Sequence, residues 1–392
     1  MNGGLKDRTA IVGIGQTAFA KSLPQSETEL AVEAVLAALD DAGIAPDEVD
    51  GLVEYSLETT DEVSLARNLG AGDITYFAQV GYGGGAGCGI VGHAALGVAA
   101  GLCDVAVAWR ARKRGAPSSR PWVQAGGGRS AAAGGVPRAA DWYRPWGLLR
   151  PVDQVAMLGR RYMHEYGATR DHLANIALAA RAHANRNPPA LMHDRPLTRE
   201  EYFAARWISE PLCLFDNCLE SDGALAVVVV SAERARDCRQ PPAYVHAFAQ
   251  GFHRQQQAMT DYHSADPLTG PSWSCARVLW RHADFGPADV RVAQFYDAFT
   301  PLVLFSLEGY GFCGRGEGAA FTEDGNLSWP DGRLPVNTSG GGLSEAYVHG
   351  FNLVVEGVRQ VRGTSTSQVA GAETCLVTSA DCVPTSALLL RR

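Results

Sequence analysis

Hydrophobic positions along this chain follow two rhythms. Short continuous apolar runs alternate with stretches in which every third or fourth residue is apolar, the pattern of buried strands alternating with amphipathic helices. Thr9-Ala-Ile-Val-Gly-Ile-Gly15 is a run of the first kind and reads as a buried strand. From Ser26 to Ala42, Leu30, Val32, Val35, Leu36 and Leu39 keep helical spacing. Ser26 with Glu29 forms a capping box at the start of this helix, and Gly43 stands where a C-cap glycine belongs. A turn over Ala45–Asp50 then feeds a second strand, Gly51–Tyr55. A glycine-rich turn (Gly83–Cys88), a small-residue helix from about Ala94 to Gly101, and a strand at Val105–Trp109 follow.

The same order returns further on. A strand at Ala243–Ala249 precedes a helix over Ser274–Ala283, a turn at Gly286–Val290 and a strand at Val292–Tyr296. A glycine turn, Ser339–Gly342, leads into a helix whose apolar face is Phe351, Val354, Val355, Val358 and Val361. In both copies a tyrosine lies nine residues after the turn proline, Pro46 to Tyr55 and Pro287 to Tyr296. Gly223–Ser231 closes the first copy and Ser386–Leu390 the second. The repetition predicts an α/β protein of two similar halves, 1–238 and 239–392, with a loop insertion at about 111–210 in the first. Within that insertion residues 115–150 have no period and carry Trp122, Trp142 and Trp146. Such a length of loop with that aromatic density predicts an ordered flap over a site. Helices over Val152–Tyr166 and Arg170–Asn187 follow, the second with Thr169 as N-cap.

Composition narrows the function. With 46% hydrophobic and 19% charged residues among 392, the chain is globular, and its net charge of −8 opposes nucleic-acid binding. No run reaches the roughly 20 apolar residues of a membrane span, and the N-terminus lacks a signal-peptide core, so a cytoplasmic location is expected. None of the nine cysteines lies in a CxxC, which predicts reduced, buried thiols and no metal site. Gly13-Ile-Gly15 lacks the third glycine of a dinucleotide fingerprint. Metalloprotease, nucleophile-elbow and P-loop motifs are also missing. Three segments remain as candidates for chemistry: Gly83–His93, Gln294–Phe299 and Asn337–Gly350. The glycines of the last permit close backbone approach to a ligand and could present amides to an oxyanion.

On these segments the chain resembles the thiolase superfamily over essentially its whole length. The likeness is to the lipid-transfer-protein branch, typified by sterol-carrier-protein-X thiolases. That branch carries N-x-S-G-G-x-x-S-x-G-H-P and H-D-x-F, whose histidines fall here on Tyr347 and Tyr296. Its nucleophilic cysteine falls at Gly89 or, with a one-residue slip, at Cys88. A thiolase needs a cysteine activated by a histidine; two tyrosines are poor activators, with ordinary pKa about 10. The stretches Tyr296–Pro301, Glu345–Gly350 and Glu356–Gly363 are similar to the thiolase-like aldolases of bacterial steroid side-chain degradation.

That resemblance implies a thiolase-like fold layered α-β-α-β-α and a retro-aldol lyase acting on a β-hydroxyacyl-CoA. The implied substrate is a 17-hydroxy steroid thioester, giving a 17-ketosteroid and propionyl-CoA. Tyr296 and Tyr347 become the acid/base pair, and His349, Gly340, Gly341, Gly342 and Cys88 the substrate-binding candidates. No cofactor is expected beyond the coenzyme A of the substrate. The implied partners are a second copy, giving a homodimer, and an OB-fold accessory domain of a hydratase subunit. Two other readings stand beside it: an atypical acyl-CoA thiolase using Cys88, with Cys382 as second sulfur, and a non-catalytic lipid-binding subunit.

Overall fold

The computed structural model describes residues 4–114, 144–148, 150–256, 259 and 264–392. Strand β1 (Thr9–Gln16) lies against helix α1 (Glu27–Ala42). Gly13 and Gly15 permit that closeness, since a Cβ on either would lie 2.0 Å from a carbonyl oxygen of α1. The Ser26–Glu29 capping box forms in both directions, at 3.1 and 2.7 Å, and Gly43 ends the helix in the left-handed region. Then come β2 (Gly51–Tyr55), α2 (Glu62–Leu69), β3 (Tyr76–Val80), α3 (Gly87–Ala99) and β4 (Val105–Arg112). Helices α4 (Pro151–Tyr166), α5 (Arg170–Ala184) and α6 (Arg199–Ala204) follow, with a hairpin of β5 (Trp207–Ser209) and β6 (Leu212–Cys213). Strand β7 (Gly223–Ser231) returns to the sheet. Trp122 and Trp142 of the expected flap lie outside the described residues, and Trp146 is exposed.

The second copy runs β8 (Ala243–Gly251), α7 (Pro271–His282), β9 (Val292–Gln294), α8 (Thr300–Gly309) and α9 (Gly318–Phe321). It closes with α10 (Gly341–Ser344), α11 (Phe351–Arg362), β10 (Thr374–Thr378) and β11 (Thr385–Arg391). The main sheet has the order β3-β2-β4-β7-β1-β8-β11-β10-β9. In each half the opening strand, β1 or β8, lies beside the closing strand, β7 or β11, and the parallel strands lie beyond. The two opening strands meet antiparallel through Ala10 with Tyr244 and Ile11 with Ala243, so the halves mirror each other across this seam. Helix α1 covers the outer face of the first half and α7 that of the second, while α3 and α11 touch strands of both. These are the α-β-α-β-α layers the resemblance implied.

Burial explains the strands. In β4, Val105, Val107 and Trp109 join the core under α1, whereas Ala106 and Ala108 join the core around α3. Both faces are covered, so the strands read as continuous apolar runs. Helix α3 starts at Gly87, well before the expected Ala94, because a helix buried nearly all round shows no polar stripe. Among the described residues no helix is long and apolar enough to cross a membrane, and no three His, Cys, Asp or Glu side chains are grouped to hold a metal.

Candidate active site

Strand β9 delivers Tyr296 but stops two residues short of it. The Asn337 side chain accepts the Phe295 amide at 2.7 Å and donates to the Phe295 carbonyl at 2.8 Å, replacing a strand partner. The Tyr296 amide then donates to Thr378 Oγ1 at 3.2 Å. Next in sequence, the Asp297 carboxylate accepts the amides of Gly342 and Leu343 at 2.7 and 3.3 Å. Burial pushes its carboxyl up to about 6, against the lowering effect of those bonds.

Tyr347 comes from the turn after α10. Its amide donates to Ser221 Oγ at 2.8 Å, and the Ser221 hydroxyl donates back to its carbonyl at 3.3 Å. Glu345 braces the same turn, accepting from Ser339, Asn352 and Asn187 at 2.6, 2.8 and 3.2 Å. The two phenolic hydroxyls meet in a short hydrogen bond in which either can donate, with ring centroids 6.1 Å apart. Burial raises both phenols above their ordinary value. A Cβ on Gly84 would lie 2.1 Å from the Tyr296 hydroxyl oxygen, so only glycine leaves room for that ring. The sequence reading of the nucleophile loop centred on Cys88 and Gly89, and missed Gly84.

Cys88 lies in α3 with its amide on Ser379 Oγ at 3.0 Å and its thiol directed to the Val377 carbonyl at 3.3 Å. Burial pushes that thiol up to about 12. Burial likewise raises the thiols of Cys218 and Cys382. Gly340, Gly341 and Gly342 are buried against Ala184, Asp297 and Tyr347. The Gly340 amide is taken by the Asn337 carbonyl and the Gly342 amide by Asp297, so neither is presented to an oxyanion. For Gly340 and Gly342 that expectation is corrected: their amides bind the turn to its supports.

His349 packs edge-on to Tyr347, with ring centroids 5.5 Å apart. Its Nδ1 lies 2.8 Å from an Arg110 guanidinium nitrogen and its Nε2 2.9 Å from one of Arg114. A neutral imidazole has one lone pair, so it accepts from one guanidinium and turns its N–H toward the other. Burial, with the two arginines, holds its pKa well below the ordinary value. Arg110 also pairs with Glu58 at 2.9 Å, both side chains fully buried. The Arg114 guanidinium lies 5.1 Å from the centroid of the Tyr347 ring. Neither arginine was singled out from sequence; the one available signal was the basic run Arg110-Ala-Arg-Lys-Arg114 directly after a buried strand.

Comparison with known proteins bears on this arrangement. Residues 254–389 match the family described as thiolase C-terminal domain-like. The chain is 46% identical over 387 residues to the 17-hydroxy-3-oxo-4-pregnene-20-carboxyl-CoA lyase of Mycobacterium tuberculosis, covering 98% of this chain and 100% of that protein. It is 47% identical over 390 residues to the steroid side-chain-cleaving aldolase of Thermomonospora curvata, covering 98% of each. The chain belongs to the thiolase-like steroid side-chain-cleaving aldolase family. A solved member, the Ltp2-ChsH2(DUF35) aldolase, superimposes with a TM-score of 0.92 at 45% identity, covering 99% of this chain and 98% of that one. Within this aldolase family, a buried tyrosine pair in place of a cysteine–histidine pair is chemically coherent, because no acyl-enzyme has to form.

Proposed function

We propose that the protein is a carbon–carbon lyase that cleaves a 17-hydroxy steroid side chain carried as an acyl-CoA thioester, releasing a 17-ketosteroid and propionyl-CoA. The observation that carries this reading is the hydrogen-bonded pair of buried hydroxyls, Tyr296 and Tyr347, in a chain matching steroid aldolases end to end. One tyrosine takes the proton of the substrate's β-hydroxyl. The bond between the α and β carbons breaks, its electron pair becoming the thioester enolate while the β carbon becomes a ketone. The other tyrosine protonates the α carbon. Atoms and charge balance with no covalent intermediate and no cofactor beyond the substrate's coenzyme A.

Two neighbouring cavities offer space for the substrate. A cavity of about 660 Å³ opens along α4, lined in part by Met157, Leu158, His164 and Pro267. A smaller one shares Leu158 and Pro267 and reaches Cys382. Two partners belong to the proposal. The sheet edge β3 carries Phe77, 68% exposed, and a second copy covering that edge would make the homodimer. The solved relative that contains a ChsH2 DUF35 component supports an OB-fold domain of a hydratase subunit as the second partner. Nine free thiols suit the reducing cytoplasm.

The test is direct. The purified chain, with and without a DUF35 domain, is incubated with a 17-hydroxy steroid acyl-CoA and the products are separated by mass. The expected result is stoichiometric ketosteroid and propionyl-CoA, with turnover falling at least about a hundredfold in Tyr296→Phe and in Tyr347→Phe. Cleavage within a few-fold of wild type in both variants would remove the tyrosines from the mechanism.

A further inference from the structure

The paired hydroxyls are alike in sequence character and unlike in surroundings. Tyr296 is packed by Gly84 and by Gly350, whose Cβ would meet its ring at 2.5 Å, and its amide is held by Thr378. Tyr347 has Arg114 over its ring at 5.1 Å and His349 edge-on at 5.5 Å. The Asp297 carboxylate is turned back onto the Gly342 and Leu343 amides. His349 is kept neutral between Arg110 and Arg114, so it brings no positive charge of its own. Among the described residues, the fixed cation stacked on the pair therefore lies on one member only.

We propose that Arg114 is a positioning residue that makes Tyr347, and not Tyr296, the group that takes the substrate hydroxyl proton. A guanidinium within about 6 Å of an aromatic face is attracted to it, and more strongly once the ring carries a phenolate charge. Tyr296 then donates its hydrogen to the Tyr347 oxygen, and a hydrogen bond to the charged form favours that form. Arg114 and the Tyr296 hydroxyl both ease ionisation of Tyr347, whereas Tyr347 opposes ionisation of Tyr296.

The proton cycle follows from this assignment. The substrate hydroxyl gives its proton to the Tyr347 phenolate as the carbon–carbon bond breaks. The Tyr296 hydroxyl gives its proton to the enolate carbon, and the Tyr347 proton passes to Tyr296 through their shared bond. Both residues end as they began. The inference rests on the aldolase reading, and on Arg114 acting through Tyr347 without touching the substrate.

The experiment compares pH–rate profiles for wild type, Arg114→Lys and Arg114→Gln on the 17-hydroxy acyl-CoA, in the complex that is active. Arg114→Gln should move the rising limb of kcat/KM at least about one pH unit upward and cost at least about tenfold at neutral pH, with the rate recovering in alkali. Arg114→Lys should restore most of both. An equal loss at every pH with the limb unmoved, or no loss at all, would overturn the proposal. A second readout does not need turnover: the ultraviolet phenolate absorbance, taken as wild type minus Tyr347→Phe, should titrate later when Arg114 is glutamine. If wild type cleaves no such thioester, the aldolase reading falls. If it cleaves but neither titration moves, only the assignment of Arg114 falls.

Discussion

The Asp297 carboxylate accepts the Gly342 amide at 2.7 Å and, with its longer bond to the Leu343 amide, ties the end of β9 to the turn that carries Tyr347. The spacing of the tyrosine pair therefore depends on a residue that belongs to neither hydroxyl. Asp297→Ala should lower kcat at least about tenfold with a smaller change in KM, because the loss is one of geometry. Asp297→Asn keeps one acceptor oxygen and should lose less. Steady-state kinetics on folded variants check the ordering; an unchanged kcat in Asp297→Ala would refute the coupling.

Gly84 makes a sharper demand. Any Cβ there falls 2.1 Å from the Tyr296 hydroxyl, so the ring must move. Gly84→Ala should keep the fold, with little change in circular dichroism, and lose at least about a hundredfold in turnover. A crystal structure of the variant should show the tyrosine hydroxyls parted. Retention of both the contact and the rate would show that the backbone yields instead.

Cys88 tests the thiolase alternative. Its thiol is buried, directed to the Val377 carbonyl and raised to about 12, so little thiolate exists at neutral pH. Cys88→Ala should cleave substrate at near wild-type rate, and iodoacetamide should leave Cys88 unlabelled in the native protein. A loss of roughly a thousandfold, with an acyl-enzyme trapped in the wild type, would restore the nucleophile reading.

Glu54 gives a stability prediction with a definite sign. Its side chain is buried on β2 and accepts from Gln79 at 2.7 Å, with the second oxygen unpartnered among the described residues. Burial first, then Glu62 and Glu58, push its carboxyl up to about 8. The unfolded chain releases this proton near pH 4.5 and the folded protein holds it to about 8, so wild-type stability is lost across that window as pH rises. Glu54→Gln should match wild type near the bottom of the window and exceed it at the top by on the order of 2 kcal/mol, the full shift being reduced by solvent screening of this incompletely enclosed carboxyl. Denaturant melts at several pH values measure the difference, and a pH-independent gap would refute the assignment.

The element order was legible in sequence because it leaves local marks, whereas the layered architecture and the two tyrosines were reached through the family resemblance. The Ser26–Glu29 box, the paired turn prolines and the Asn337–Gly342 stretch are patterns of neighbouring residues. Helices α3 and α8 were harder for one shared reason: buried almost all round, they lack the polar face that reveals a helical period. Strand β9 was read through Tyr296 because an apolar run cannot show that a side chain forty-two positions away, Asn337, has taken over the pairing. Arg110, Arg114 and Gly84 were missed because their roles exist only across the fold. Arg114 meets His349 over a separation of 235 residues, and nothing near either position announces the other.

The repeated tyrosines have diverged in use. Tyr55 and Tyr296 hold equivalent places, nine residues after their turn prolines. Yet Tyr55 donates to the His349 carbonyl at 3.1 Å, while Tyr296 meets the Tyr347 hydroxyl. Both copies thus converge on the same short segment, one as a prop and one, in the mechanism proposed, as a proton carrier. A chain built from two like halves accordingly holds a single reaction centre. Its stoichiometry is one: a tight-binding enolate mimic should titrate to one equivalent per chain, and the mirrored half should stay silent.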